Sequence, residues 1–427
     1  MSTTTAGPTT TPWNVFADQR PAETYVATSV EEVQAAIAHA REHGLKLAPQ
    51  TTGHFAGALP SLEDALLLRL AFDEDVYVDP DNMAVRIPAG KVWDDVVSAA
   101  AVHGLAVMHG SSPTVSPFGY LLGGGLSFYG RKHGLAANHV RAIEVVTPDG
   151  VFRRASASEN SELFYALRGG GGGYGVVTAI EMGLLPYATV TGGALLFGPP
   201  AARAVLRAWR DWARTAPNTI TTSWRMMHPP HDAPFVIVDG IAVEPEAAAE
   251  LERVLRAAAE PFAGGFGPMP APAAARVHGD PEDPTPAILD GILLEHLDDD
   301  AIEAFLRVVT PNSPLVMAEL RQLGGALATA PKSAGARGRL EGEFGLMGLG
   351  APGGSGTPEE IRAHLRTLND AMAPFATGTR YANFAEQFSK EGHSLRTSVS
   401  DAAYERLARL RAELDPDGLM VAPFIAK

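Results

Sequence analysis

The sequence predicts an α+β protein of two to three domains. Three observations carry this expectation. The 427-residue chain, with 46% hydrophobic and 19% charged residues, holds enough apolar material for more than one core. It opens with a β-α-β pattern, and it continues in small, strand-rich units with short helices between them.

The opening unit starts with a short strand at Tyr25 and Val26. Ser29 then stands where an N-cap belongs, followed by Glu31, Glu32 and an apolar-periodic run. His43 and Gly44 stop that helix, and residues 45–48 read as the next strand. Apolar strands follow near Leu66 to Leu70, Val76 to Val78 and Ala84 to Ile87, then a helix from Trp93 to Ala100 that stops at His103 and Gly104. Further on, 143–147 and 175–181 read as strands around the turn 148–150. Past Pro186 the glycine clusters thin. Helices are expected at 201–215, 245–259 and 300–309, strands at 236–243 and 315–321, and a Pro-rich loop at 267–286. The last fifty residues offer a strand-like stretch from Arg380 to Phe384 and a helix from Ser400 to Leu414.

Composition excludes several function classes. The net charge is −15 and no Lys/Arg block occurs, so a nucleic-acid partner is not expected. With no cysteine, the chain has no disulfide, thiolate metal site, iron–sulfur cluster or cysteine nucleophile. The Thr-rich first thirteen residues read as disordered and lack the apolar core of a signal peptide, and no segment approaches the roughly 20 apolar residues of a membrane span. A soluble, cytoplasmic protein with no membrane partner is expected. The histidines show no metal-ligand spacing, so no metal is expected, and Gly-x-Ser-x-Gly is absent.

The glycine clusters are the strongest chemical signal. Gly123 to Gly125 and Gly169 to Gly173 precede runs that regain regular structure. Five successive glycines are costly in backbone entropy. One reading is close approach of backbone N–H groups to a pyrophosphate; the other is a linker or tight turn, which the immediate return to strand makes less apt. Neither cluster matches the G-x-G-x-x-G fingerprint, and the downstream acidic residue of that motif is missing, which disfavours a nicotinamide Rossmann fold. His54, taken alone, is most simply a loop histidine bonded to backbone.

Context changes that reading. The stretch His43 to His54, His109-Gly-Ser-Ser-Pro-Thr-Val115, Gly119 to Ser127, Arg131-Lys-His-Gly-Leu-Ala-Ala-Asn138 and Leu163 to Thr178, in that order, resemble the berberine bridge enzyme-like branch of the vanillyl-alcohol-oxidase type flavoproteins. Tyr381-Ala-Asn-Phe384 and Tyr404 to Leu419 are similar to the family's closing segment. The resemblance implies a PCMH-type FAD-binding domain of two subdomains, formed by residues 14–186 with 378–427 returning to it. Residues 187–377 would be an inserted substrate domain, an antiparallel sheet backed by helices. It implies FAD as cofactor, joined covalently through His54. Gln50, Thr51, Thr52, Gly53, Phe55 and Gly57 would surround the linkage and the pyrophosphate. Gly110, Ser111, Ser112, Thr114, Gly119, Gly123, Gly124, Gly134, Asn138, Gly173 and Val177 would line the dinucleotide, with Tyr381 and Asn383 beside the flavin ring.

Three departures matter. Ser112 stands where many members carry a second, cysteinyl flavin link, so attachment here is at most single. Similarity begins only near Trp13 and Asn14. Phe384 replaces a tyrosine that serves as catalytic base in several relatives. The resemblance implies hydride transfer from a C–OH or C–N carbon of a small molecule or sugar to flavin N5, with molecular oxygen as acceptor. With Phe384 unable to take a proton, Tyr381, Glu319 and Gln322 are the candidate catalytic residues; Glu319 shares a strand face with Arg321. The plainer alternatives are a core tyrosine and a structural ion pair. A flavin-binding protein that performs a non-redox step, or a dehydrogenase using another acceptor, is the competing function. Trp209, Trp212, Trp224, Phe235 and Phe344 are core or pocket residues, and the chain is expected to be a monomer or homodimer.

Overall fold

The first sheet forms from the β-α-β opening. In the computed structural model, which describes residues 11–387 and 395–426, strands β1 (Glu23–Ala27), β3 (Ala65–Leu70) and β2 (Lys46–Gln50) pair in parallel in that order. The helix Val30–Glu42 makes the crossover, and its N-cap Ser29 accepts a hydrogen bond from the Glu32 amide. Val33, Ala36, Ile37 and Ala40 recur at helical spacing and form its buried face.

A second sheet runs β4 (Tyr77–Asp79), β5 (Ala84–Pro88), β8 (Val176–Gly183), β6 (Val140–Val146), β7 (Phe152–Ser156), antiparallel throughout. Its core is continuous with that of the first sheet. The C-terminal residues enter this same core: Tyr404 and Leu407 of the helix Asp401–Leu414, then Leu419, Met420 and Phe424. Leu47 and Met420 form a parallel bridge beside β2, with Val421 N–H donating to Leu47 O at 2.8 Å.

The third sheet has seven antiparallel strands in the order β12 (Ala263–Pro270), β9 (Thr189–Phe197), β11 (Phe235–Ala242), β10 (Ile220–Met227), β14 (Met317–Gln322), β15 (Phe344–Gly350), β13 (Ile288–Leu294). Helices Ala202–Ala213, Pro245–Ala258, Asp299–Val308 and Pro358–Met372 contribute to the core on one face. Trp209, Trp212, Trp224 and Phe344 all lie in that core; Phe235 is only half-buried at the start of β11. Burying a side chain such as Phe305 or Phe344 is worth about 1.5–3 kcal/mol, which explains why the helix face is so strongly apolar.

Alternation then sends the other residues of these strands to the opposite face. Ser223 and Arg225 of β10, Asp239 of β11 and Glu319 and Arg321 of β14 share it: the register pairs Ser223 with both Asp239 and Arg321, and Arg225 with Glu319.

Two expected elements differ. The Pro-rich tract 267–286 is a loop only in its second half, because 263–270 adds to the sheet edge as β12 and 271–276 form a 3-10 helix. As the edge strand it pairs on one side only, with β9, and so tolerates Pro268 and Pro270, which carry no N–H to donate. Residues 380–384 are not a strand: Ala382–Phe384 is a 3-10 turn. The expected disorder of residues 1–13 falls on residues 1–10 outside the described part, while Pro12 is buried and Trp13 packs into the site described below.

Candidate active site

A long cleft runs between the first two sheets and the polar face of the third, with a volume of about 2200 Å³, its open mouth included. Its first wall is the turn after β2, where Gln50, Thr51, Thr52, Gly53, His54 and Phe55 all face the space. Thr52 Oγ1 and His54 Nδ1 share a hydrogen bond of 2.8 Å, and His54 Nε2 and Thr114 Oγ1 one of 3.2 Å. Thr114 in turn meets Ser112 Oγ at 3.1 Å. Trp13 lies flat on the imidazole, ring centroids 4.2 Å apart and planes 13° from parallel. Burial pushes the His54 pKa down, to about 3. The ring opens on the cleft side, and His54, neutral at physiological pH, keeps a nucleophilic nitrogen.

The second wall comes from the segments 110–123 and 171–177. Gly110, Ser111, Ser112, Gly119 and Gly123 line it, as do Gly173 and Val177. Gly123 marks a close approach: a Cβ there would sit 1.7 Å from Asn383 Oδ1. The Gly169–Gly173 run has a use the sequence did not suggest. Gly171, with φ +79°, packs on Phe424 O, and Gly173, with φ +99°, lies where a Cβ would be 1.9 Å from Arg411 Nη1. Arg411 donates to Gly173 O at 2.8 Å and to Met420 O at 3.0 Å. The five glycines therefore serve both the cleft and the docking of the C-terminal segment.

Tyr381 and Asn383 also line the cleft. Asn383 Nδ2 donates to Tyr381 Oη at 3.0 Å and to Tyr120 O at 3.1 Å. Burial raises the Tyr381 phenol to about 12, so it stays protonated at neutral pH and is no base as it stands.

Several expected site residues do not line the cleft. Thr114 stands one layer back, reaching it through His54. Gly57 packs against Glu386, Gly124 against Arg337, and Gly134 against the 326 carbonyl. Asn138 donates to Gly338 O at 2.9 Å behind the wall. Gln322 is the clear correction: it points to the helix-packed face of the third sheet, accepting from Thr222 Oγ1 and donating to Ala213 O, both at 2.9 Å. The reason is parity, since Gln322 follows Arg321 and must face the other way.

Arg321 does line the cleft, with its guanidinium 4.8 Å from the Phe128 ring centroid and 5.9 Å from that of Phe384. Glu319 is fully buried behind it in an ion pair with Arg321 Nε. Burial alone would raise the Glu319 pKa, yet Arg321 and His278 beside it bring it down to about 2. A carboxylate that weakly basic, already held by a guanidinium, is a poor proton acceptor.

The sequence reading missed His278, Asp280, Trp13 and Tyr120, all of which line the cleft. Ser111 Oγ donates to Asp280 Oδ2 at 2.8 Å, joining the two walls. The only trace of His278 and Asp280 in the sequence is a His-Gly-Asp-Pro turn in a Pro-rich loop, which is too common to select.

The cleft suits a dinucleotide. Gln50 Nε2 is buried in the wall without a partner among the described residues, and the glycine segments leave room for backbone to meet a ligand. Comparison with known proteins agrees. Residues 21–156 match the family described as FAD binding domain. An FAD-linked oxidoreductase of Trichophyton verrucosum is 37% identical over 194 residues, covering 42% of this chain and 32% of the relative. The chain spans two fifths or less of the length of the first curated relatives it matches. Among solved structures, the BBE-like 1 protein of Physcomitrella patens superposes with a TM-score of 0.83 at 18% identity, covering 97% of this chain and 93% of that one. The 6-hydroxy-D-nicotine oxidase of Arthrobacter nicotinovorans gives 0.81 at 23% identity, covering 96% and 92%. Residues 21–156 are thus similar to FAD-binding domains, and the chain as a whole has the fold of the berberine bridge enzyme-like flavoproteins.

Proposed function

We propose that the chain is an FAD-dependent oxidase that takes hydride from a C–OH or C–N carbon of a small organic molecule or sugar, with its flavin tied to His54. The observation that supports it best is the state of His54: neutral, stacked under Trp13 and bonded through both nitrogens to hydroxyls at the wall of a cleft lined by glycines. Bound FAD supplies a two-electron acceptor; the chain supplies everything else. Thr52 and Thr114 orient the imidazole, and one of these rotatable hydroxyls would yield its nitrogen to a covalent bond with the flavin. The segment 50–55 and the glycines at 119, 123 and 173, which line the cleft, would hold the cofactor. Trp13 closes over His54, donating its backbone N–H to Thr52 O at 2.8 Å and its indole N–H to Glu282 O at 3.2 Å, and so excludes water from that end.

The test is direct. Acid-denatured protein is expected to retain yellow flavin fluorescence, and His54→Ala to release it. Loss of colour from the wild type on precipitation would remove the covalent claim. Anaerobic bleaching of the flavin by members of a sugar, alcohol and hydroxynicotine panel, followed by rapid recovery in air, tests the oxidase reading; bleaching without recovery points to another electron acceptor, and no bleaching by any member points to non-redox use of the flavin.

A further inference from the structure

The third sheet and the loop 277–287 bury a charged cluster that none of the expected catalytic residues explains. His278, 3% exposed, lies at its centre and on the cleft wall. Its Nδ1 is 2.8 Å from Asp239 Oδ2. Asp239 is fully buried and is held from β10 by Ser223 Oγ and Arg225 Nη2. On the other side, Arg321 Nη2 is 3.0 Å from His278 Nε2, and Glu319 Oε2 is 3.6 Å from the same nitrogen. Asp280 lies on the same loop, its carboxylate 4.0 Å from Nε2, and the Phe128 ring stands beside the imidazole, centroids 5.7 Å apart and planes tilted by 57°.

These contacts determine the tautomer. A guanidinium only donates, so Nε2 must accept from Arg321 and Nδ1 must carry the proton to Asp239. The ring is thus neutral, with its basic nitrogen on the Arg321 side. One atom is left over: Glu319 Oε2 is buried and has no hydrogen-bond partner among the described residues. An unmet buried acceptor is costly. A proton arriving at Nε2 would meet it.

Building on the flavoenzyme reading above, we propose that His278 is the proton acceptor of the reaction, with Asp239 as the residue that positions it and Glu319 as the group that receives the imidazolium. The substrate hydroxyl or amine takes the place of the Arg321 donor at Nε2. Its O–H or N–H bond would break, the proton passing to Nε2 and the freed electron pair forming the C=O or C=N bond, while the carbon's hydrogen would depart with the C–H electron pair; bound FAD would supply the two-electron acceptor. The imidazolium then holds Nδ1–H to Asp239 and Nε2–H to Glu319, and returns its proton to solvent after product leaves. Arg321, retained through its Nε by Glu319, faces the developing negative charge on the substrate heteroatom. The surroundings suit this use. Burial and Arg225 push the His278 pKa down, but Asp239, Asp280 and Glu319 outweigh them and hold it above its usual value.

The test is an NMR pH titration of the purified, flavin-loaded protein labelled with 15N-histidine. The His278 signals are identified by their loss in His278→Gln, which keeps a side-chain donor for Asp239; circular dichroism and flavin content check its fold. The expected result is an Nδ1–H neutral ring at high pH and an imidazolium at low pH, with the midpoint above 6.5. Glu319→Gln is expected to lower that midpoint by about 1–3 units. With any panel member that bleaches the flavin, wild-type reduction rises with pH through the same midpoint. His278→Gln slows it by about 10²–10⁴-fold and loses the pH dependence. A His278 locked in one protonation state from about pH 5 to 9 overturns the proposal. So does a His278→Gln protein reduced at the wild-type rate with the wild-type pH profile, and that result leaves the flavoenzyme reading intact. Absence of flavin from the purified protein, read separately from its absorbance, overturns that reading and the proposal with it.

Discussion

Replacing Gly123 by alanine isolates the closest packing contact in the site. Gly123 has φ −90°, so an L-residue meets no backbone strain there. The added methyl carbon, however, would be 1.7 Å from Asn383 Oδ1 and 2.9 Å from Asn383 Nδ2, which forces the short amide side chain out of place. Its two hydrogen bonds, to Tyr120 O at 3.1 Å and Tyr381 Oη at 3.0 Å, then break. At about 0.5–1.5 kcal/mol each they account for about 1–3 kcal/mol. Overpacking adds about 1–3 kcal/mol. A total of about 2–6 kcal/mol is expected in urea unfolding followed by tryptophan fluorescence, together with loss of bound flavin. Gly119→Ala is the control. It lines the same cleft inside a helical turn, with nothing within 4 Å of its Cβ position. It should leave the apoprotein as stable as before or raise it by about 0.5–1 kcal/mol, yet still lower flavin uptake because the methyl group projects into the cofactor space. A Gly123→Ala protein within about 0.5 kcal/mol of wild type and fully loaded with flavin would refute the close-approach argument.

Glu319 has a folded pKa of about 2, below its unfolded value of 4.5, so its stabilisation is present above pH 4.5 and is lost as pH falls towards 2. The magnitude is on the order of 3 kcal/mol, and acid unfolding of wild type and Glu319→Gln should converge across that window; parallel curves would speak against it. Arg225→Met removes a partner of buried Asp239 and is expected to cost about 3–5 kcal/mol in chemical denaturation, far more than a surface arginine would. Trp13→Ala exposes one face of His54, so diethyl pyrocarbonate should modify His54 in the apoprotein several-fold faster than in wild type, as read by peptide mass; an unchanged rate would mean that Trp13 does not cover it.

Much of the first half of the chain was legible because its signals are local. Ser29, the apolar spacing of Val33 to Ala40 and the His43-Gly44 stop lie within one helix and specify it without help from elsewhere. The turn 50–55 and the segments 110–123 and 171–177 were marked by glycines, and the structure brings them to one cleft. The five-glycine run was only half understood. Its partner Arg411 lies 238 residues away, and no local pattern announces that the C-terminal segment needs the space above those glycines.

The sequence by itself determined the α+β class, the β-α-β opening and three of the four helices that cover the third sheet, because periodicity and caps act over a few residues; the helix Pro358–Met372 was not expected, and His54 became a candidate only through the family resemblance. Only the tertiary structure decided which residues of the third sheet face the cleft. Register is a property of pairing, and a shift of one residue exchanges the two faces: Arg321 opposite Ser223 looks into the cleft, while Gln322 opposite Phe344 is lost to the core. The same pairing gathers Asp239, Glu319 and His278, far apart along the chain, into one buried cluster, where proximity in a poorly solvated interior gives three ordinary side chains a joint chemistry that none has alone.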